Sequence, residues 1–312
     1  MTYFSIMPPE IRINASTDID PEKWDNCVAK NTNGLIYAQH HYLNHLSNNW
    51  SAIIIGDYEA LLPLPWNSKW GIKYYEAIPF IQQLGLIGTI DASQISIILD
   101  LIVGFAKYGD LFFNFSNLAL AKSVPSVAKM NLVLDLKQDY GAIVQYYKKD
   151  LKNNLEKAQK FQPVYLVSHN IAKKLTEYQH QYNNRFNWID KRDFKHLAQV
   201  LAFYQSKDQC IIRELIDQTT NELLASAILL KDEKRLYLLI NTITALGRTQ
   251  SSNHFLIDRI IREFANTNFV LDFEGSEISG VQEFFKNFHP VSQPYFHFHH
   301  NQLSWPLKLL KR

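Results

Sequence analysis

The sequence predicts an α+β (mixed α/β) protein of two domains, each a mixed, mostly antiparallel sheet flanked by helices. Three observations carry this. One order of elements (strand, turn, strand, strand, glycine, helix, strand) runs through residues 50–116 and again through 208–276. The copies lie roughly 160 residues apart, too far for a stacked solenoid and suited to duplicated domains. The chain has 312 residues, which fits two domains of about 150.

In the first copy, residues 51–56 are a short apolar run closed by Gly56 and Asp57, a turn signal. Residues 59–66 resume as a strand that ends at Pro63 and Pro65. Residues 73–78 and 81–87 are extended pieces around Pro79. Residues 91–107 take helical period, with Ile95, Ile98, Ile102 and Phe105 on one face. Asp91 or Ser93 caps the start. Gly109 and Asp110 end the helix, and residues 111–115 form a strand.

In the second copy, residues 209–216 are a strand and 217–221 a polar turn. Residues 222–230 and 235–243 make the next hairpin, and Gly247 breaks the chain. Residues 251–266 are helical, with Leu256, Ile257, Ile260, Ile261 and Phe264 on one face. Residues 268–273 are the matching strand. Each copy then ends in a late strand, 131–136 in the first and 295–299 in the second. Between the copies, 140–161, 171–182 and 194–204 carry helical spacing, and no Gly/Ser- or Pro-rich linker intervenes. The expected domains are therefore 1–139 and 140–312.

Hydrophobic residues make up 46% and charged residues 20%, so the chain can bury a core and is not disordered. A net charge of +2 implies no global attraction to nucleic acid or anionic membrane, so such a partner needs a local patch. Two cysteines, Cys27 and Cys210, exclude a disulfide framework and point to a reduced, cytoplasmic setting. The first 13 residues lack the basic start and apolar run of a secretory leader. No apolar stretch approaches the ~20 residues of a membrane span.

Three stretches carry a family resemblance: YKKDLKNNLEKA at 147–158, PFIQQLG at 79–85, and LDFEGS at 271–276 followed by a helix near 280–287. With the repeated element order, they resemble the GNAT (acyl-CoA N-acyltransferase) fold in tandem, as in the FemAB-like group and in bacterial tandem-GNAT proteins. The first stretch is similar to the Fem-like helix that opens a second domain. The resemblance implies transfer of an acyl or aminoacyl group from an activated ester to a small-molecule or peptide amine. The implied donors are acyl-CoA or aminoacyl-tRNA, the latter making tRNA a partner; no resident cofactor or metal is implied. Catalytic GNAT domains carry Q/R-x-x-G-x-G/A where the chain turns into the central helix. RTQSSN at 248–253 stands there, so the resemblance assigns Arg248, Ser251 and Asn253 to the donor's phosphate. Ser251 and Asn253 replace the glycines that permit close phosphate approach. No sustained heptad of the Fem coiled-coil arm is present.

The remaining candidates are read from their residues. Asp272 and Glu274 end a buried strand and share one face by alternation. Such carboxylates can anchor an amine or take its proton, so Glu274 is the candidate base and Asp272 its support. Ser276 joins them as a substrate contact; the plain alternative is a turn and helix cap. Gln82 and Gln83 offer amides to a carbonyl or carboxylate, or else bond an irregular backbone. Arg248 at a helix start opposes the macrodipole, which a bound phosphate would relieve. Lys148, Lys149, Lys152, Lys157 and Lys160, with Asn153 and the substrate candidate Asn154, form either a phosphate track or a solvated helix face. His297 and His299 share a face of a late strand. A catalytically inactive binding module with a retained cleft is the alternative to an enzyme.

Overall fold

The computed structural model describes residues 9–182, 189–275 and 279–310. Its strands, in chain order, are β1 Ile11–Ala15, β2 Asn49–Ile55, β3 Ala60–Lys69, β4 Ile72–Tyr75, β5 Tyr108–Phe113, β6 Ser126–Lys129 and β7 Leu132–Asp135. They continue as β8 Val164–Ser168, β9 Cys210–Ile216, β10 Leu223–Lys231, β11 Arg235–Ile243, β12 Val270–Asp272, β13 Val291–Ser292 and β14 Tyr295–Asn301.

The chain divides into two compact units: Met1–Lys129 with Tyr295–Arg312, and Met130–Pro294. Each holds a seven-stranded sheet, in the order β1-β2-β3-β4-β5-β14-β6 in the first and β13-β7-β12-β11-β10-β9-β8 in the second. Among the described residues, the named strands of each sheet include one parallel pair, β4 with β5 and β11 with β12, and the other strand pairs are antiparallel. The predicted mixed, mostly antiparallel build is therefore present in both.

The units do not divide at residue 139. The two late strands are exchanged: β7 lies between β12 and β13 in the second sheet, and β14 lies between β5 and β6 in the first. Phe296 and Phe298 enter the first core beside Leu111 and Phe113. Leu132 and Leu134 enter the second beside Leu271 and Phe273. Alternation specifies a strand and its buried face, but not which sheet receives it.

In the first unit the helix Gln94–Phe105 buries Ile98 and Ile102 against the sheet. No side chain caps its start; instead the Gln94 side chain accepts from the Asp91 N–H at 2.9 Å. Gly109 is not the expected turn. It lies within β5 at φ +124°, and a Cβ there would sit 2.2 Å from the Tyr75 carbonyl oxygen. Its lack of a side chain lets β4 and β5 pair at Tyr75 and Gly109. Residues 81–87 form only isolated bridges, Leu61 to Ile87 and Leu84 to Phe113.

In the second unit β10 is buried along nearly its whole length, as a strand covered on both faces must be. The expected helix over 140–161 is two helices, Tyr140–Val144 and Lys149–Gln159. Between them the Lys148 N–H donates to the Asn287 carbonyl, so the backbone turns rather than continuing. Gly247 lies inside a short helix, Ala245–Thr249, where a Cβ would meet the Leu224 carbonyl at 2.1 Å.

Candidate functional site

In the second unit the parallel strands β11 and β12 pair over three residues, ending at Tyr237 with Asp272. β11 then runs on to Ile243 without its partner. Immediately past the last pair, the register against β10 shifts: Ile228 faces Ile240 and Leu229 faces Leu238. Leu239 is the extra residue, a bulge that bends the strand where the two part. Residues 273–275 continue from the end of β12. There the Gly275 N–H donates to Asn131 Oδ1 at 2.8 Å, and a Cβ on Gly275 would meet the Met130 carbonyl at 2.1 Å.

Asp272 is fully buried. Its Oδ2 accepts from Arg235 at 2.5 Å, and its Oδ1 accepts the Glu274 N–H at 2.9 Å. Arg235 also donates to Gln293 Oε1 at 2.9 Å. Burial of both charges without their partner would be costly, and the pair cancels most of that cost. Glu274 does not share a face with Asp272 by alternation. The strand ends at Asp272, and Glu274 adopts a left-handed φ of 50° in the turn. Ser276 lies outside the described residues.

The turn into the central helix, Ser252–Phe264, lies beyond the C-terminal end of β11. Ser251 precedes the helix at φ 58°, and its Oγ donates to Asn154 Oδ1 at 2.8 Å. The structure thus brings together two candidates 97 residues apart. Asn253 exchanges amide hydrogen bonds with Asn241 at 2.8 and 2.9 Å. The hydroxyls of Ser252 and Thr242 and the Gln250 Oε1 are buried without hydrogen-bond partners. Arg248 is not at the start of the long helix. It sits in the last turn of Ala245–Thr249, where the macrodipole favours a cation. It is exposed and lines an open groove of about 510 Å³ with Glu177, His180, Thr242 and Thr244. The five lysines of 148–160 are exposed.

Gln82 and Gln83 belong to the first unit. Gln83 is fully buried; its Oε1 accepts the Phe115 N–H at 3.0 Å and its Nε2 donates to Gln82 at 2.7 Å. It borders a narrow cleft of about 20 Å³, where β4 and β5 part, together with Glu76, Ile78, Asp110 and Phe112. That volume suits one water-sized group.

One constellation was half legible. His297 and His299 do share a face, as their spacing implied. What binds them is Asp110 of β5, whose Oδ1 lies 2.7 Å from His297 Nε2 and 2.9 Å from His299 Nδ1. These bonds hold the Asp110 carboxyl below the usual carboxylate range. Asp110 is 187 residues from His297, so no local pattern could have paired them. Asn241 and the Leu239 bulge were likewise missed, since both depend on strand register. Among the described residues, no group of three or more His, Cys, Asp or Glu could hold a metal ion.

No protein-family model matches the sequence, and no curated protein does. Solved structures do match. FemX superposes with a TM-score of 0.63 at 12% identity, over 97% of this chain and 99% of that one. A tandem GNAT protein from the clavulanic acid biosynthesis pathway gives 0.56 at 9% identity, over 95% and 100%. L-PGS from Bacillus licheniformis gives 0.55 at 12% identity, over 93% and 95%. Identities this low speak to fold alone. The chain has the tandem GNAT-like, FemAB-like fold.

Proposed function

We propose that the protein is an acyltransferase that moves an acyl or aminoacyl group from an activated ester to an amine. The observation that carries this is the parting of β11 from β12 beside the Leu239 bulge, with the start of a 13-residue helix beyond the end of β11. Parted strands expose backbone N–H groups that can bind a reacting carbonyl, and a helix start attracts phosphate. In the reaction the amine nitrogen bonds the acyl carbon, the bond to the thiol or ribose oxygen breaks, and the amine's proton passes to a base and then to the leaving group. Glu274 is the proposed base or amine anchor. Asp272 is its positioning residue, through the Glu274 N–H. Arg248 is the proposed phosphate contact, and Ser276 is a proposed acceptor contact. FemX and a tandem GNAT protein share the fold, which is why aminoacyl-tRNA and acyl-CoA are the donors to try.

One observation favours a second reading, a binding module without chemistry. The Ser251 and Asn253 side chains already fill the turn with bonds to Asn154 and Asn241. Thermal shift decides between them, because a ligand of the folded state raises the melting temperature with concentration. A shift with acetyl-CoA or longer acyl-CoA that is lost in Arg248→Ala supports acyl-CoA as donor. A shift with charged but not uncharged tRNA supports aminoacyl transfer, and turnover should then fall in Glu274→Gln. No shift with any donor leaves the binding module.

A further inference from the structure

The two most exposed large apolar side chains among the described residues are both tryptophans, Trp70 at 83% and Trp305 at 81%. Both belong to the first unit, and the topology puts them at one end of its sheet. β4 runs parallel to β5, and β14 runs antiparallel to it. The starts of β4 and β5 and the finish of β14 therefore coincide. The Lys107 N–H donates to the Lys73 carbonyl at 2.9 Å, and the Gln302 N–H donates to the Lys107 carbonyl at 2.7 Å. Trp70 tips the hairpin that enters β4, with φ 52° followed by Gly71 at φ 74°. Trp305 follows β14 in the closing segment.

The two segments that carry these tryptophans are basic. Residues 66–73 and 302–308 contain no Asp or Glu, and they hold Lys69, Lys73 and Lys308. Lys107 lies between them. Lys69 Nζ stands 5.0 Å from the Trp70 ring, so the indole carries its own cation. The whole chain is only +2, which makes this a local concentration rather than a general basicity.

We propose that this end of the first unit docks on the surface of an anionic lipid bilayer. An indole has an apolar body and a polar N–H, which suits the headgroup level, and lysines beside it meet anionic headgroups. Leu303 and Leu307 stand on either side of Trp305, and Lys308 follows them. Leucine adds to insertion at a bilayer interface and nothing to the stacking that would hold single-stranded RNA. No described helix is long and apolar enough to cross a membrane, so the attachment is peripheral.

The test is co-sedimentation of the full chain with vesicles of equal parts phosphatidylglycerol and phosphatidylcholine, against phosphatidylcholine alone. Binding is expected only to the anionic vesicles, weakening as salt is raised. Trp70→Ala with Trp305→Ala should lower the partition coefficient roughly tenfold or more. Both side chains are exposed, so the double variant should melt as the parent does, which checks the fold. Lys69→Glu with Lys308→Glu should act in the same direction. Absence of binding to anionic vesicles overturns the proposal, as does equal binding by the double tryptophan variant. Salt-dependent RNA binding lost in that variant, with vesicles ignored, also overturns it and makes the surface a nucleic-acid one.

Discussion

Arg235 and Asp272 form an ion pair sealed inside the second unit, spanning the short parallel ladder of β11 and β12. Arg235 opens β11 and Asp272 closes β12, so the pair crosses the three-residue parallel ladder diagonally, from its first rung to its last. Arg235→Met would leave a fully buried carboxylate without its cation. Loss of about 3–5 kcal/mol is expected from removing one partner of a buried pair. Urea denaturation checks it; a loss under about 1 kcal/mol would mean that water or Gln293 replaces the guanidinium.

The first unit depends on Gly109 in the same way. Gly109→Ala places a methyl 2.2 Å from the Tyr75 oxygen and 2.6 Å from the Tyr75 nitrogen, at a φ that L-residues rarely adopt. The parallel pairing of β4 with β5 must give way. A loss of at least about 2 kcal/mol is expected from strain and overpacking together. Gly104, with open space around its Cβ direction, is the control: Gly104→Ala should be neutral or stabilising.

Asp258 lies buried in the central helix, and the Tyr140 hydroxyl donates to it at 2.8 Å. Burial raises its pKa, against the opposing pull of that bond. A raised carboxyl favours the protonated form in the folded state. Its burden is absent below the unfolded value, grows as pH rises through the folded value, and is complete above it. Asp258→Asn keeps an acceptor for Tyr140 and removes the charge. Thermal melts should show a gain in Tm at neutral pH and none near about pH 3, below the ordinary carboxylate range. A gain that does not vary with pH would refute the electrostatic cause.

Burial pushes the Cys210 thiol up to about 12, and the Cys27 thiol is raised for the same reason. The thiolate is the reacting form, so at mildly alkaline pH Cys210 should alkylate two to three orders of magnitude, roughly, below a free thiol. Iodoacetamide labelling read by peptide mass should find both sites slow in the folded chain and fast in denaturant. Rapid labelling of folded Cys210 would contradict its burial.

Much of the fold was legible because it is written in local periodicity. The two-residue alternation of 295–299 and the helical spacing of 251–266 each follow from side chains that must reach one core. The same logic placed the hairpin 222–243 and set His297 and His299 on one face. What periodicity cannot specify is the partner across space. The exchange of β7 and β14 between sheets depends on which core accepts Leu132 and Leu134, or Phe296 and Phe298. The Leu239 bulge depends on register against β10.

The candidate site divides along the same line. By itself the sequence determined that two mixed sheets form, that a break at Gly247 precedes a long helix, and that carboxylates stand at the end of β12. Only the tertiary structure decided their states. It locked Asp272 to Arg235, turned Glu274 into a left-handed bend, tied Ser251 to Asn154, and paired Asp110 with two histidines near the other end of the chain. Apart from the Glu274 bend, each of these is a contact between residues on different elements. Its energy depends on distance and burial, and neither exists until the sheets have closed around it.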